Sequence, residues 1–252
     1  MDYKLLVNTA VLAGETMLKN GAETYRVEDT IRHILRTANV ETAETIVLLT
    51  GIVVTLDDPD IDTITTMRRV KGHGTNLNRI DQVNRISRQY CSGEISLEQA
   101  YSDLKAIGEK QYKSLLYNVA TVCVCAGFVP LFGGKIPEVL CAALEGMVLA
   151  LIITAGKHLR INSFILDVLS SAGVAVIAVL LGHLPVGKIN MDVVIISSIM
   201  PLVPGVAITN AVRDTLQGDY LSGMARILEA FLKAAAIALG VGVGIALMEG
   251  LI

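Results

Sequence analysis

The feature that most constrains this chain is a series of five long apolar runs after Ser114. Leu115–Phe132 holds 18 residues without a charge, and Val139–Gly156 is interrupted only by Glu145. Phe164–Val186 carries Asp167 and His183 near its two ends. Val193–Val212 holds 20 uncharged residues, and Ile227–Ile252 has an uncharged core from Ala234 to Met248. About 20 mostly apolar residues in a helix cross roughly 30 Å of hydrocarbon. Lipid offers a backbone no hydrogen-bond partners, so such runs are expected as helices. The expectation is five transmembrane helices, at approximately 115–132, 137–156, 164–184, 192–212 and 227–250.

The first 113 residues are different in kind, because they carry 14 of the 21 Lys and Arg residues. Leu5, Leu6, Leu12, Ala13 and Met17 fall on one broad face of a helix over 2–20, which Asn20-Gly21 stops, since glycine tolerates left-handed geometry after a helix. Val27, Ile31, Leu35 and Ala38 recur at helical spacing over 24–38. The stretch from Glu44 to Leu56 is rich in β-branched residues and broken at Thr50-Gly51, which favours strand. A turn at 57–60 leads into an alternating strand over 61–70. Helices follow from Asn76 to Tyr90 and from Ser96, where Ser96 and Gln99 have capping-box spacing. The expected fold class is therefore an α-helical integral membrane protein: an N-terminal cytoplasmic α+β domain over 1–113, then a five-span transmembrane domain over 114–252. With the N terminus inside, the cytoplasmic face also receives Lys157, Arg160 and Arg213, and the outer loops receive only Lys135 and Lys188. The C terminus is then outside. Lys110 and Lys113 are expected among the headgroups before the first span.

The four cysteines include no C-x-x-C pair, and no Cys/His cluster has zinc spacing, so neither metal nor cofactor is expected. No Ser-His-Asp or Cys-His set is recognisable either, which argues against an enzyme.

Several polar residues stand where an inert anchor has none. Glu145 falls in the middle of the second run, where a carboxylate is costly and usually faces a bundle interior or a water-filled path. The fourth run contains Pro201, Pro204, Gly205 and Asn210 and ends in Arg213 and Asp214. Each proline removes a donor and frees a carbonyl about one turn upstream, near Ser197 and Met200. Broken helices at that depth build solute sites in many transporters, and a plain kink is the alternative. Arg213-Asp214 reads as a charge pair at the cytoplasmic end, as gate or interfacial anchor. Near the N terminus, Glu23, Thr24, Arg26, Glu28 and Asp29 crowd one short segment, for which a solvated helix face is the simplest account. Asp167, Asp192 and His183 read as cap or loop residues, and Lys233 as a snorkelling lysine. Gly240 and Gly244 have the spacing that lets helix backbones approach closely.

Two stretches, "GAETYRVEDT" and "MPLVPGVAITNAVRD", resemble the threonine/serine exporter family, and the likeness extends over nearly the whole chain. The resemblance implies export of small polar metabolites driven by an ion or proton gradient, at the plasma membrane of a prokaryote. Larger family members fuse two membrane halves. This chain resembles the split form, which implies a second small multi-span membrane subunit of the same family, and an odd span number makes an inverted-topology pair the expectation. In that setting the broken fourth helix would offer backbone groups to the solute, Glu145 would carry the proton and Arg213-Asp214 would gate the cytoplasmic side. Dicarboxylate (succinate) export, a non-transporting accessory subunit and an intramembrane hydrolase are the competing readings.

Overall fold

The computed structural model describes residues 1–107, 114–183 and 189–250. Lys110, Lys113, Lys188 and the expected end of the third span at Leu184 lie outside the described residues. The chain forms two compact units: Met1–Glu109 together with Gly205–Leu228, and Lys110–Pro204 together with Glu229–Ile252.

In the first unit, helix α1 (Tyr3–Lys19) buries Leu6, Ala10, Ala13 and Met17 at helical spacing. It packs against α2 (Thr24–Arg36), α3 (Leu77–Cys91), α4 (Leu97–Ala106) and the sheet. The sheet is an antiparallel meander of β1 (Thr42–Leu48), β2 (Gly51–Asp58) and β3 (Ile61–Arg69). The break expected at Thr50-Gly51 is a hairpin turn, with Leu48 opposite Gly51. Val47, Ile52, Val54 and Leu56 alternate onto the face that joins the helical core. Helix starts follow their caps: the Asn76 side chain accepts from Arg79 N at 3.1 Å, and Ser96 Oγ accepts from Gln99 N at 3.2 Å. Helix α9 (Gly205–Leu216) and the start of α10 (Tyr220–Glu249) complete this unit.

The second unit is helical. α6 (Ile136–His158) packs against α5 (Ser114–Phe128), α7 (Ser163–Gly182) and α8 (Met191–Ile199). The rest of α10 lies against α7 through its glycines. A Cβ on Gly240 would collide with the Ser171 hydroxyl and the Val168 carbonyl, and one on Gly244 would come within 2.7 Å of Ala172 O. The small-residue spacing therefore serves packing within this chain.

Among the described residues, Ser114–Phe132, Ile136–His158, Ser163–Gly182 and Tyr220–Glu249 are long and apolar enough to cross a membrane. A fifth span exists only if Met191–Leu202 and Gly205–Leu216 are counted together, and they meet at a 60° bend. The break expected within the run over 192–212 is thus present, and it divides the run into two helices. Pro201 and Pro204 cannot donate, and Val203 between them is extended with ψ 130°.

Candidate functional site

Polar chemistry collects at one place in each unit. In the first unit it begins where α1 ends. Gly21 has φ +88°, a conformation that side chains disfavour, and it turns the chain between α1 and α2. The Gly21 carbonyl accepts from Asn210 Nδ2 at 2.7 Å, and the Ala22 carbonyl accepts from Arg226 Nη2 at 2.6 Å. Thr24 opens α2. Its N–H donates to Asp214 Oδ1 at 2.9 Å and its hydroxyl to Asp214 Oδ2 at 3.2 Å. Glu23, the residue at the N-cap position, makes no capping bond of its own. A carboxylate 190 positions away therefore caps α2, where the helix dipole favours negative charge. Arg226 Nε donates to the same carboxylate at 2.8 Å.

Helix α9 makes this possible by its polarity. Asn210 and Asp214, one turn apart, are buried with Ala211, whereas Val206, Ile208, Val212 and Leu216 are exposed. The helix turns its polar side to the unit it belongs to and its apolar side outward.

Arg213 and Asp214 do not pair with each other, contrary to the expectation from sequence. Neighbouring helix positions point about 100° apart, so the two side chains part company. Arg213 Nη1 donates to Glu23 Oε1 at 2.5 Å, and Asp214 serves Thr24 and Arg226. Nor is the acidic cluster a solvated face throughout. Glu23 is 5% exposed, with Arg26 at 3.4 Å from its other oxygen. Burial alone would raise the Glu23 carboxyl, but its own backbone N–H, the bond from Arg213 and the charges of Arg26 and Arg213 together hold it below its ordinary value. Glu28 accepts from Val47 N at 3.1 Å, and its burial holds that carboxyl above the ordinary value. Asp29 is the exposed member, facing His33 at 3.3 Å.

The second place is Glu145. It is fully buried on α6, and neither carboxylate oxygen has a hydrogen-bond partner. The Ser198 hydroxyl, at the end of α8, stands beside it without meeting hydrogen-bond geometry. Ser197 and Ser198, and Ser170 on α7, are buried hydroxyls that are likewise unpartnered. The carbonyls expected to be freed by the prolines are not free. Met200 N–H closes onto Ser197 O, and Val203 N–H donates to Met200 O at 3.2 Å, because the chain tightens to a 3₁₀ turn over Met200–Leu202. What the break leaves open is side-chain polarity: one carboxylate beside the Ser198 hydroxyl where α8 ends.

The remaining candidates have structural partners. Asn162 and Asn190, not the aspartates, cap α7 and α8. Asp167 lies 3.9 Å from Lys233 Nζ, and His183 Nδ1 contacts Val179 O at 2.8 Å. No group of three metal-ligating side chains occurs among the described residues. Sequence reasoning missed Arg226, the carbonyls of Gly21 and Ala22, and the paired serines Ser197 and Ser198. Two of these had a readable signal: a lone arginine opening a long apolar helix, and a Ser-Ser step immediately before a proline break.

Comparison with known proteins agrees over most of the chain. The family model described as "Putative threonine/serine exporter" matches residues 8–248. A "Probable threonine/serine exporter" of Mycobacterium tuberculosis H37Rv is 23% identical over 247 residues, covering 96% of this chain and 46% of the relative. The chain thus spans about half the length of that relative. A "Probable succinate transporter subunit YjjP" of Escherichia coli K12 is 21% identical over 244 residues, covering 95% of this chain and 93% of the relative. Its Klebsiella aerogenes counterpart is 23% identical over 229 residues, covering 89% and 87%. No solved structure matches.

Proposed function

The chain belongs to the threonine/serine exporter family, and from that premise we propose that this membrane protein is one subunit of an exporter of small polar metabolites, with threonine and serine as substrates and an ion or proton gradient as driving force. The observation that carries the mechanism is Glu145, fully buried and unpartnered beside Ser198 at the end of a broken helix. A carboxylate in that setting is costly while charged and tolerable once protonated, so it can alternate between the two as protons enter and leave. Protonation of Glu145 lets the surrounding helices close around a neutral site. Ionisation draws water and solute polarity back into it. Pro201, Pro204 and Gly205 keep the helix open at that depth. Asn210, Arg213 and Asp214 brace the segment against Gly21, Glu23 and Thr24 respectively, with Arg26, Glu28 and Asp29 extending the charged surface beside them.

The remaining parts of the reading follow from this frame. The N-terminal α+β domain is cytoplasmic, the bent pair counts as the fourth of five spans, and the C terminus lies outside, in the plasma membrane of a prokaryote. A second small multi-span subunit supplies the other half of the pathway. Support for it comes from the half-length match to the mycobacterial relative and from the word "subunit" in the names of the other two.

A specific observation favours a second reading, succinate export: the relatives of matching length are the ones named for succinate. Efflux of labelled threonine, serine and succinate from cells producing the chain, with and without a half-length membrane partner, separates the two. The first reading predicts threonine and serine efflux that needs both proteins. Succinate efflux alone would replace it with the second, and efflux of none of the three would overturn both.

A further inference from the structure

A cleft of about 340 Å³ opens in the first unit, between the start of α2, the face of α3 and α9. Its charges are balanced and arranged by position. Arg213 and Arg26 reach the two oxygens of Glu23, which leaves Glu23 satisfied and holds two guanidinium groups side by side. Each arginine uses one of its five N–H donors in this way, and both side chains are well exposed, at 62% and 42%. On the α3 side stand Asp81, exposed, and Asn84, half-buried, and neither side chain has a hydrogen bond or ion pair within the described residues. Leu77, 66% exposed, and Val206, 39% exposed, add apolar surface to the lining.

This set of groups matches one class of molecule. Paired guanidinium donors suit a carboxylate, an unpaired aspartate suits an ammonium, and a little apolar surface suits a small side chain. We propose that the cleft binds a free α-amino acid as its zwitterion, with the carboxylate on Arg26 and Arg213, the ammonium on Asp81 and Asn84, and the side chain against Leu77 and Val206. It is a site additional to the Glu145 region. A part for the cleft in loading cargo for export, though not the binding itself, rests on the amino-acid export reading. Because Glu23 neutralises one of the two arginines and Asp81 another charge, a dianion finds no net positive field there, so succinate is the poorer ligand.

The test is calorimetric titration of the full chain in lipid nanodiscs with L-threonine and L-serine. N-acetyl-threonine, threonine methyl ester and succinate serve as arms lacking the ammonium, lacking the carboxylate, or replacing both. Saturable binding of the free amino acids alone is expected, weakened about tenfold or more by Asp81→Asn and by Arg26→Gln. Both substitutions fall on exposed side chains, and circular dichroism checks that the variants keep the parent fold. Absence of amino-acid binding, binding of succinate as tight as threonine, or binding by either variant as tight as by the parent would overturn the proposal. Efflux measured on the same variants separates the two readings: binding without export sinks the transporter reading and leaves the cleft, and export without cleft binding does the reverse.

Discussion

Asp214 and Arg226 form an ion pair of 2.8 Å whose side chains are 0% and 6% exposed. The pair joins three pieces of chain. Asp214 caps α2 through Thr24, and Arg226 holds the Ala22 carbonyl, so α9, the start of α10 and the α1–α2 loop are fastened at one point. Breaking a buried pair by removing one partner is expensive because the other charge stays buried.

Arg226→Ala is therefore expected to destabilise the protein by about 3–5 kcal/mol. Arg213→Gln removes a pair whose arginine is 62% exposed, and is expected to cost about 0–1 kcal/mol. Chemical unfolding of the two variants in detergent checks the contrast. Equal losses would show that the buried pair is not the fastening point.

The α7–α10 contact gives a second prediction with its own control. Gly240 has Ser171 and Val168 where its Cβ would stand, while Gly242 has nothing within 4 Å. Gly240→Ala is expected to cost about 1–3 kcal/mol from overpacking. Gly242→Ala is expected to be neutral or to gain up to about 1 kcal/mol, since alanine is the better helix former. Thermal unfolding of both variants reads the difference, and a neutral Gly240→Ala would mean that the helices do not meet there.

Glu23 makes the first unit sensitive to acid. Its folded carboxyl sits below the ordinary 4.5, so its contribution is fully present above that value and is lost as pH falls through the lowered folded value. Glu23→Gln is expected to be less stable than the parent near neutrality, with the gap narrowing below pH 4.5. Unfolding curves taken down the acid range test this. A gap constant with pH would remove Glu23 from the acid response.

How much of this the sequence carried differs between the two units. The 3.6 period marked α1–α3 and alternation marked β3, while β1 and β2 showed as one β-branched stretch broken at Thr50-Gly51, because residues such as Leu6, Met17, Ile52 and Val54 are placed by burial against their own neighbours. The caps Asn76 and Ser96 were local and equally readable. Helix α9 was not. Its residues sit in an uncharged run that reads as hydrocarbon, and its partners Gly21, Glu23 and Thr24 are some 190 positions away. Local pattern also misled over Arg213 and Asp214, since adjacency in sequence suggested a pair that helix geometry forbids. Glu145 was conspicuous as a charge in an apolar run, but its neighbour Ser198 depends on how α6 meets α8.

The central claim is that Glu145 exchanges protons as solute moves. The carboxylate contributes nothing to packing that a neutral amide of the same size cannot supply, so Glu145→Gln is expected to leave stability unchanged or slightly raised. The direct measurement is uptake of labelled threonine into proteoliposomes holding the assembled exporter, with and without an imposed pH gradient. The account predicts gradient-stimulated flux in the parent protein and flux indifferent to the gradient in Glu145→Gln. Full gradient-driven flux through the Glu145→Gln protein would contradict it.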